Sequence, residues 1–175
     1  KGCYAVLHAA AIVGVENINV DEMKRVNIEG TRAMCNAALS SEIKRFIYFS
    51  SIHAFQQKPL DRKLTEKRLL VTDPKSSHYD LTKAHAEKEV KKAHKAGLST
   101  IVLNPTGILG PYDFKPSRMG QLVKKIMNQK MLLTINAGFN WVDVRDVCSA
   151  AIESVEKATP GENYILSGKW ATFHE

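Results

Sequence analysis

The chain has 175 residues, 44% of them hydrophobic and 25% charged, with a formal net charge of +7. That is the composition of one folded domain with its own core, and it excludes a disordered tail or a fibrous repeat. No apolar run approaches the roughly 18–20 residues of a membrane span and no charged-then-apolar leader opens the sequence, so no membrane is expected and the expected compartment is the cytoplasm.

Residues 3–8 (C-Y-A-V-L-H) form a short apolar run that predicts a buried strand. Over 20–39 the apolar residues Val20, Met23, Val26, Met34, Ala37 and Ala38 recur at helical spacing, with Asp21 and Glu22 favouring the helix start. Residues 45–50 (R-F-I-Y-F-S) are aromatic and β-branched, which predicts a second strand, followed by a polar loop with Pro59 and Pro74. A helix is predicted over 77–96, with Gly97 as its C-terminal cap. Lys88, Lys91, Lys92, His94 and Lys95 on it are interleaved with Glu87 and Glu89. Cations near a helix C-terminus complement its dipole, so this run reads as a solvated face and no nucleic acid is expected.

A third strand is predicted over 99–103, then a loop over 104–116 and a helix over 117–129. Short strands follow near 132–135 and 140–142, then a helix over 144–157 and a last strand over 163–166. Alternating strands and helices of these lengths imply α/β crossovers and a parallel sheet. Cys3, Cys35 and Cys148 are odd in number and widely spaced, which fits reduced, mostly buried thiols rather than disulfides or a metal site.

Tyr79 and Lys83 stand four residues apart on one predicted helix, so their side chains share a face. A free phenol titrates near 10 and is a poor base at neutrality. An ammonium beside it would lower that value and let Tyr79 give a proton to a carbonyl oxygen, or take one from a hydroxyl, as a hydride moves at the attached carbon. Ser50 and Ser51 close the second strand, where α/β enzymes place groups that handle ligands. His8-Ala9-Ala10-Ala11 ends the first strand with small side chains that allow close approach of a ligand.

These residues resemble the extended short-chain dehydrogenase/reductases, also called the NAD-dependent epimerase/dehydratase family. The marks lie in the family's order: V-L-H-A-A-A (6–11), N-I-E-G-T (27–31), F-I-Y-F-S-S (46–51), Y-D-L-T-K-A-H-A-E (79–87), N-P-T-G-I-L-G-P (104–111) and V-D-V-R-D-V (142–147). The resemblance implies a partial Rossmann-like doubly wound α/β fold over 1–175, with 111–142 and 159–175 contributing to a smaller substrate lobe. It implies NAD or NADP as cofactor and a small-molecule substrate; homodimers are common in the family. Ser51, Tyr79 and Lys83 would be the catalytic residues. Lys83 would also hold the nicotinamide ribose, with Ala9, Ala10, Ala11 and Ser50 along the cofactor, Asn27 bracing the strand ends near it, and Pro105, Gly107 and Ile108 against the nicotinamide amide. His53, Asn104, Phe114, Arg118 and Trp141 would border the substrate, together with Phe55, His78 and Lys115.

The family's glycine-rich turn, and the residue that selects NAD or NADP, are not among these residues. The chain opens at what would be the family's fourth strand and stops short of its usual C-terminal lobe, which predicts a fragment of a longer protein. Three activities stay open. P-T-G-I-L-G-P and the Y-I-L-S-G ending look like the dihydroflavonol reductase and 3β-hydroxysteroid dehydrogenase branch. A sugar-nucleotide epimerase is the second reading, on Asn104. Ile52-His53 replaces the Asp-Glu pair of dehydratases and argues against dehydration. A non-catalytic dinucleotide-binding or interaction module is the third.

Overall fold

The computed structural model describes residues 2–14, 19–115, 117–128 and 138–172. Its elements, in chain order, are β1 (Ala5–His8), α1 (Val20–Lys24), a π-helical turn (Arg25–Glu29), α2 (Gly30–Leu39), β2 (Arg45–Phe49), a 3-10 turn (Ile52–Ala54), α3 (His78–Lys95), β3 (Thr100–Pro105), β4 (Gly107–Leu109), α4 (Arg118–Met127), β5 (Gly138–Asp143), α5 (Val144–Lys157), β6 (Asn163–Leu166) and β7 (Lys169–Thr172). β1, β2, β3 and β6 form one sheet in that order, every pairing parallel.

Side chains alternate across a strand, and here both faces are covered. Phe46, Tyr48 and Val102 point to one side and pack with Cys35 and Ala38 of α2 and Ala86, Val90 and Ala93 of α3. Ile47, Ile101 and Leu103 point to the other and meet Ala151 and Val155 of α5. This is the doubly wound α/β arrangement expected from the alternating pattern. Gly97 has φ +103, the left-handed conformation that stops α3.

β4, β5 and β7 form a second, smaller sheet, with β4 parallel and β7 antiparallel to β5. Residues 107–109, expected as loop, pair with 141–143, and β7 lies outside the predicted strands. Both are short and flanked by glycine or proline, which hides their period. β6 joins the main sheet beside β3 while β7 joins the smaller one, so the described strands after residue 159 divide between the two sheets. The strand expected near 132–135 lies outside the described residues.

Three further expectations change. The single helix over 20–39 holds a π turn around Asn27, where the Thr31 hydroxyl donates to the Asn27 carbonyl (2.7 Å). Glu87 is fully buried rather than part of a solvated face, because its helix position faces β3 and β6. Of the cysteines only Cys35 is buried, where desolvation pushes its thiol up to about 11; Cys3 and Cys148 are exposed.

Candidate active site

The ends of β1, β2 and β3 converge on the first turns of α3, and the expected residues gather there. α3 is started by Ser77, whose hydroxyl accepts from the Asp80 N–H (3.1 Å). That cap sets Tyr79 in the first turn and Lys83 in the second. Ser51 follows β2 and caps the 3-10 turn, its hydroxyl oxygen accepting from the His53 N–H (3.2 Å). The Ser51 side chain lies close enough to the Tyr79 phenol to oppose its upward shift. The three residues are therefore neighbours in one environment.

Their electrostatics differ from the sequence reading. Burial pushes the Tyr79 phenol above its ordinary value; the Ser51 hydroxyl pulls it back, and Asp80 pushes it further up. Lys83 does not act on it as expected, because its ammonium turns toward β2. It donates to the Phe49 carbonyl (2.7 Å) and sits 4.9 Å over the Tyr48 ring. Burial lowers Lys83 to about 8, against the opposing pull of Glu87. The Tyr79 phenol is therefore protonated at neutral pH.

Asn27 ties the loop after β1 to α3. Its amide accepts from the Ile12 N–H (2.8 Å) and donates to the Ile12 carbonyl (3.0 Å), fixing the turn that follows Ala9–Ala11, and it also donates to Thr82 (3.1 Å) beside Lys83. Ala9 and Ala10 are exposed at that edge, while His8 before them is buried. The Thr31 hydroxyl gives its one proton to the Asn27 carbonyl, so the His8 Nε2 (3.0 Å) must be the donor of their bond. Desolvation, then Lys83, lowers the His8 pKa and keeps the ring neutral.

Ser50 Oγ is buried without a hydrogen-bond partner among the described residues. Lys83 gives one of its three N–H groups to Phe49. Such unmet groups at strand ends fit a polyhydroxyl ligand such as a cofactor ribose.

Other expected residues go elsewhere. Asn104 borders no substrate: it is fully buried, donating to the Ser51 carbonyl (3.1 Å) and to Glu87 (2.6 Å) while accepting from Asn163 (3.0 Å). Phe55 is core, 1% exposed, because its backbone bridges to Leu70. Trp141 packs over Gly107, where an added Cβ would stand 3.1 Å from its ring, and against Phe139. His53 lies edge-on to Tyr79 with Nδ1 3.5 Å from Asp80, and is open to solvent. Pro105 is buried at the end of β3. Ile108, partly exposed, borders a cavity of about 530 Å³ with Leu109, Pro111, Tyr112, Val123 and Met127. Phe114, Lys115 and His78 are exposed, and the Arg118 side chain lies outside the described residues. Sequence reasoning missed Glu87, although its place one turn beyond Lys83 on the same face was the available signal.

A family model described as the NAD dependent epimerase/dehydratase family matches residues 1–167. The chain belongs to that family. It is 28% identical over 172 residues to sterol demethylase protein B of Methylococcus capsulatus, covering 98% of this chain and 52% of the relative. It is 28% identical over 170 residues to a putative dihydroflavonol 4-reductase of Synechocystis sp., covering 95% and 50%. The crystal structure of gox2253 superposes with TM-score 0.90 at 30% identity, covering 99% of this chain and 53% of that one. The chain thus spans about half the length of the relatives it matches. Among the described residues no helix is long and apolar enough to cross a membrane.

Proposed function

We propose that this chain carries the acid-base site of an NAD(P)-dependent reductase that delivers a hydride to a carbonyl carbon. One observation carries the reading: Tyr79 and Lys83 stand one turn apart at the start of α3, with Lys83 reaching the end of β2, where Ser51 caps the next turn and the Ser50 hydroxyl is buried without a partner among the described residues. A bound nicotinamide would supply the hydride. Ser51 and Tyr79 hold the carbonyl oxygen between two hydroxyls, which polarises the bond. As the carbon takes the hydride, Tyr79 releases its proton to the oxygen, and the carbonyl becomes an alcohol. Lys83 would hold the nicotinamide ribose through the N–H groups it does not give to Phe49, its charge one helical turn from the phenolate left on Tyr79. Ser50, Asn27 and the Ala9–Ala11 edge would support the cofactor, and Pro105, Gly107 and Ile108 would border its nicotinamide.

The likeness of P-T-G-I-L-G-P (105–111) and Y-I-L-S-G (164–168) to the reductase branch favours reduction over the epimerase reading. The kinship to a protein named a putative dihydroflavonol 4-reductase supports the same choice. Cofactor exchange tests it in the full-length protein. A reductase must release its oxidised nicotinamide each turnover, whereas an epimerase returns the hydride and keeps it. Purified protein should be nearly free of nicotinamide and should oxidise added NADH or NADPH against a panel of ketones. Stoichiometric retained NAD, with no such oxidation, would replace the reductase by an epimerase.

A further inference from the structure

Lys83 is an ammonium with 3% exposure, and a buried cation needs a nearby anion to persist. Around it stand His8 from β1, Tyr48 and the Phe49 carbonyl from β2 and, four residues before and after it on its own helix, Tyr79 and Glu87, whose charge acts on it. His8 is neutral, and the two tyrosines are phenols held above their ordinary range. Glu87 is the one carboxyl in that set. It has no measurable exposure and stands four residues beyond Lys83 on the same helical face.

Its hydrogen bonds identify its form. One oxygen accepts from the Asn104 amide (2.6 Å) and the other from the Asn163 amide (2.9 Å). Both oxygens accept, as in a carboxylate; a carboxylic acid would turn a donor toward one of them. The two asparagines also bond each other (3.0 Å), so the triad is closed. Asn104 reaches on to the Ser51 carbonyl (3.1 Å), which ties the same cluster to the residue beside Tyr79.

We propose that Glu87 is a positioning residue for the site, the buried counter-charge that keeps Lys83 cationic, held as a carboxylate by Asn104 and Asn163. This rests on the reductase reading for its purpose, since Lys83 has to be charged when Tyr79 gives up its proton. Without Glu87, burial would strip the ammonium at a lower pH, and the phenolate formed on Tyr79 would lose its stabiliser.

The test is an NMR titration of the Lys83 ε-carbon in the full-length protein, its signal assigned by its loss in Lys83→Met. Glu87→Gln should move the midpoint down by about one pH unit or more. Asn163→Ala, which keeps the charge and removes one donor, should leave it nearly in place. A purely structural Glu87 would lower stability in both variants and leave the midpoint unmoved, which would overturn the proposal. If Glu87→Gln does not fold, the carboxyl carbon of Glu87 in the unmodified protein decides: a carboxylate signal at neutral pH supports the proposal and a protonated one ends it. No substrate enters either measurement. Loss of the reductase reading, through a fully active Tyr79→Phe, would therefore be told apart from loss of this one.

Discussion

The strand-end site and the cavity beside the second sheet are built on opposite plans. At the strand ends, Asn27, Thr31, Asn104, Glu87 and Lys83 are buried, and hydrogen bonds fix each of them. The cavity beside β4 and α4 is walled by Ile108, Leu109, Val123 and Met127, with Tyr112 and Phe114 exposed nearby. A buried polar network is costly to disturb, because every severed bond leaves an orphan. An exposed apolar wall can change with little penalty to the fold. The proposed function would use the first as a fixed acid-base apparatus and the second as a surface free to select among substrates.

Four experiments break or sharpen that contrast. The largest effect is expected from Tyr79→Phe, which removes the proton donor and leaves the ring. Carbonyl reduction by the full-length protein should fall about 10²–10⁴-fold with the fold intact by circular dichroism. A loss under threefold would remove Tyr79 from the chemistry.

Lys83 comes next. It titrates at about 8 in the folded chain against 10.5 for a free side chain, because burial disfavours its charge. Between those values the unfolded chain binds more protons than the folded one, so stability rises with pH across that window. The cost of the buried ammonium is fully present below about pH 8 and is relieved above it. Relative to Lys83→Met, the unmodified protein should gain on the order of 3 kcal/mol as pH goes from 8 to 10.5, read by urea unfolding. A flat difference would show that Lys83 is not held against its charge.

Asn27→Ala should cost roughly 1–3 kcal/mol, since it leaves the Ile12 N–H and carbonyl without their partner. Unfolding midpoints measure it, and weaker NADH binding by fluorescence should accompany it. A stability change without a binding change would confine Asn27 to the fold. The smallest effect is expected at the cavity. Met127→Ser, at an exposed residue of its wall, should change stability by less than about 0.5 kcal/mol, yet raise KM for bulky ketones with kcat held. Unchanged KM across a ketone series would separate the cavity from the substrate.

The parallel sheet was legible because F-I-Y-F and T-I-V-L are buried on both faces and so read as continuous apolar runs. Tyr79, Lys83 and Ser51 were legible as a group because helical spacing and a strand end suffice to bring them together. The direction of the Tyr79 shift was not. It depends on where the Lys83 ammonium turns, and four flexible methylenes carry it to the Phe49 carbonyl. Asn104 looked like a substrate contact because sequence shows an asparagine but not its neighbours; its partners lie 17, 53 and 59 residues away. β4 and β7 escaped notice because three or four residues give too little period to read.

The π turn at Arg25–Glu29 has a consequence for the aim of its helix. Successive residues of a regular α-helix turn by about 100°, so Met23 and Cys35, twelve apart, would point about 120° away from each other. One extra residue wound into the turn takes up about 100° of that and leaves the two within roughly 20°, and both are buried. Deleting a single residue there would tidy the winding and swing Met23 out into water.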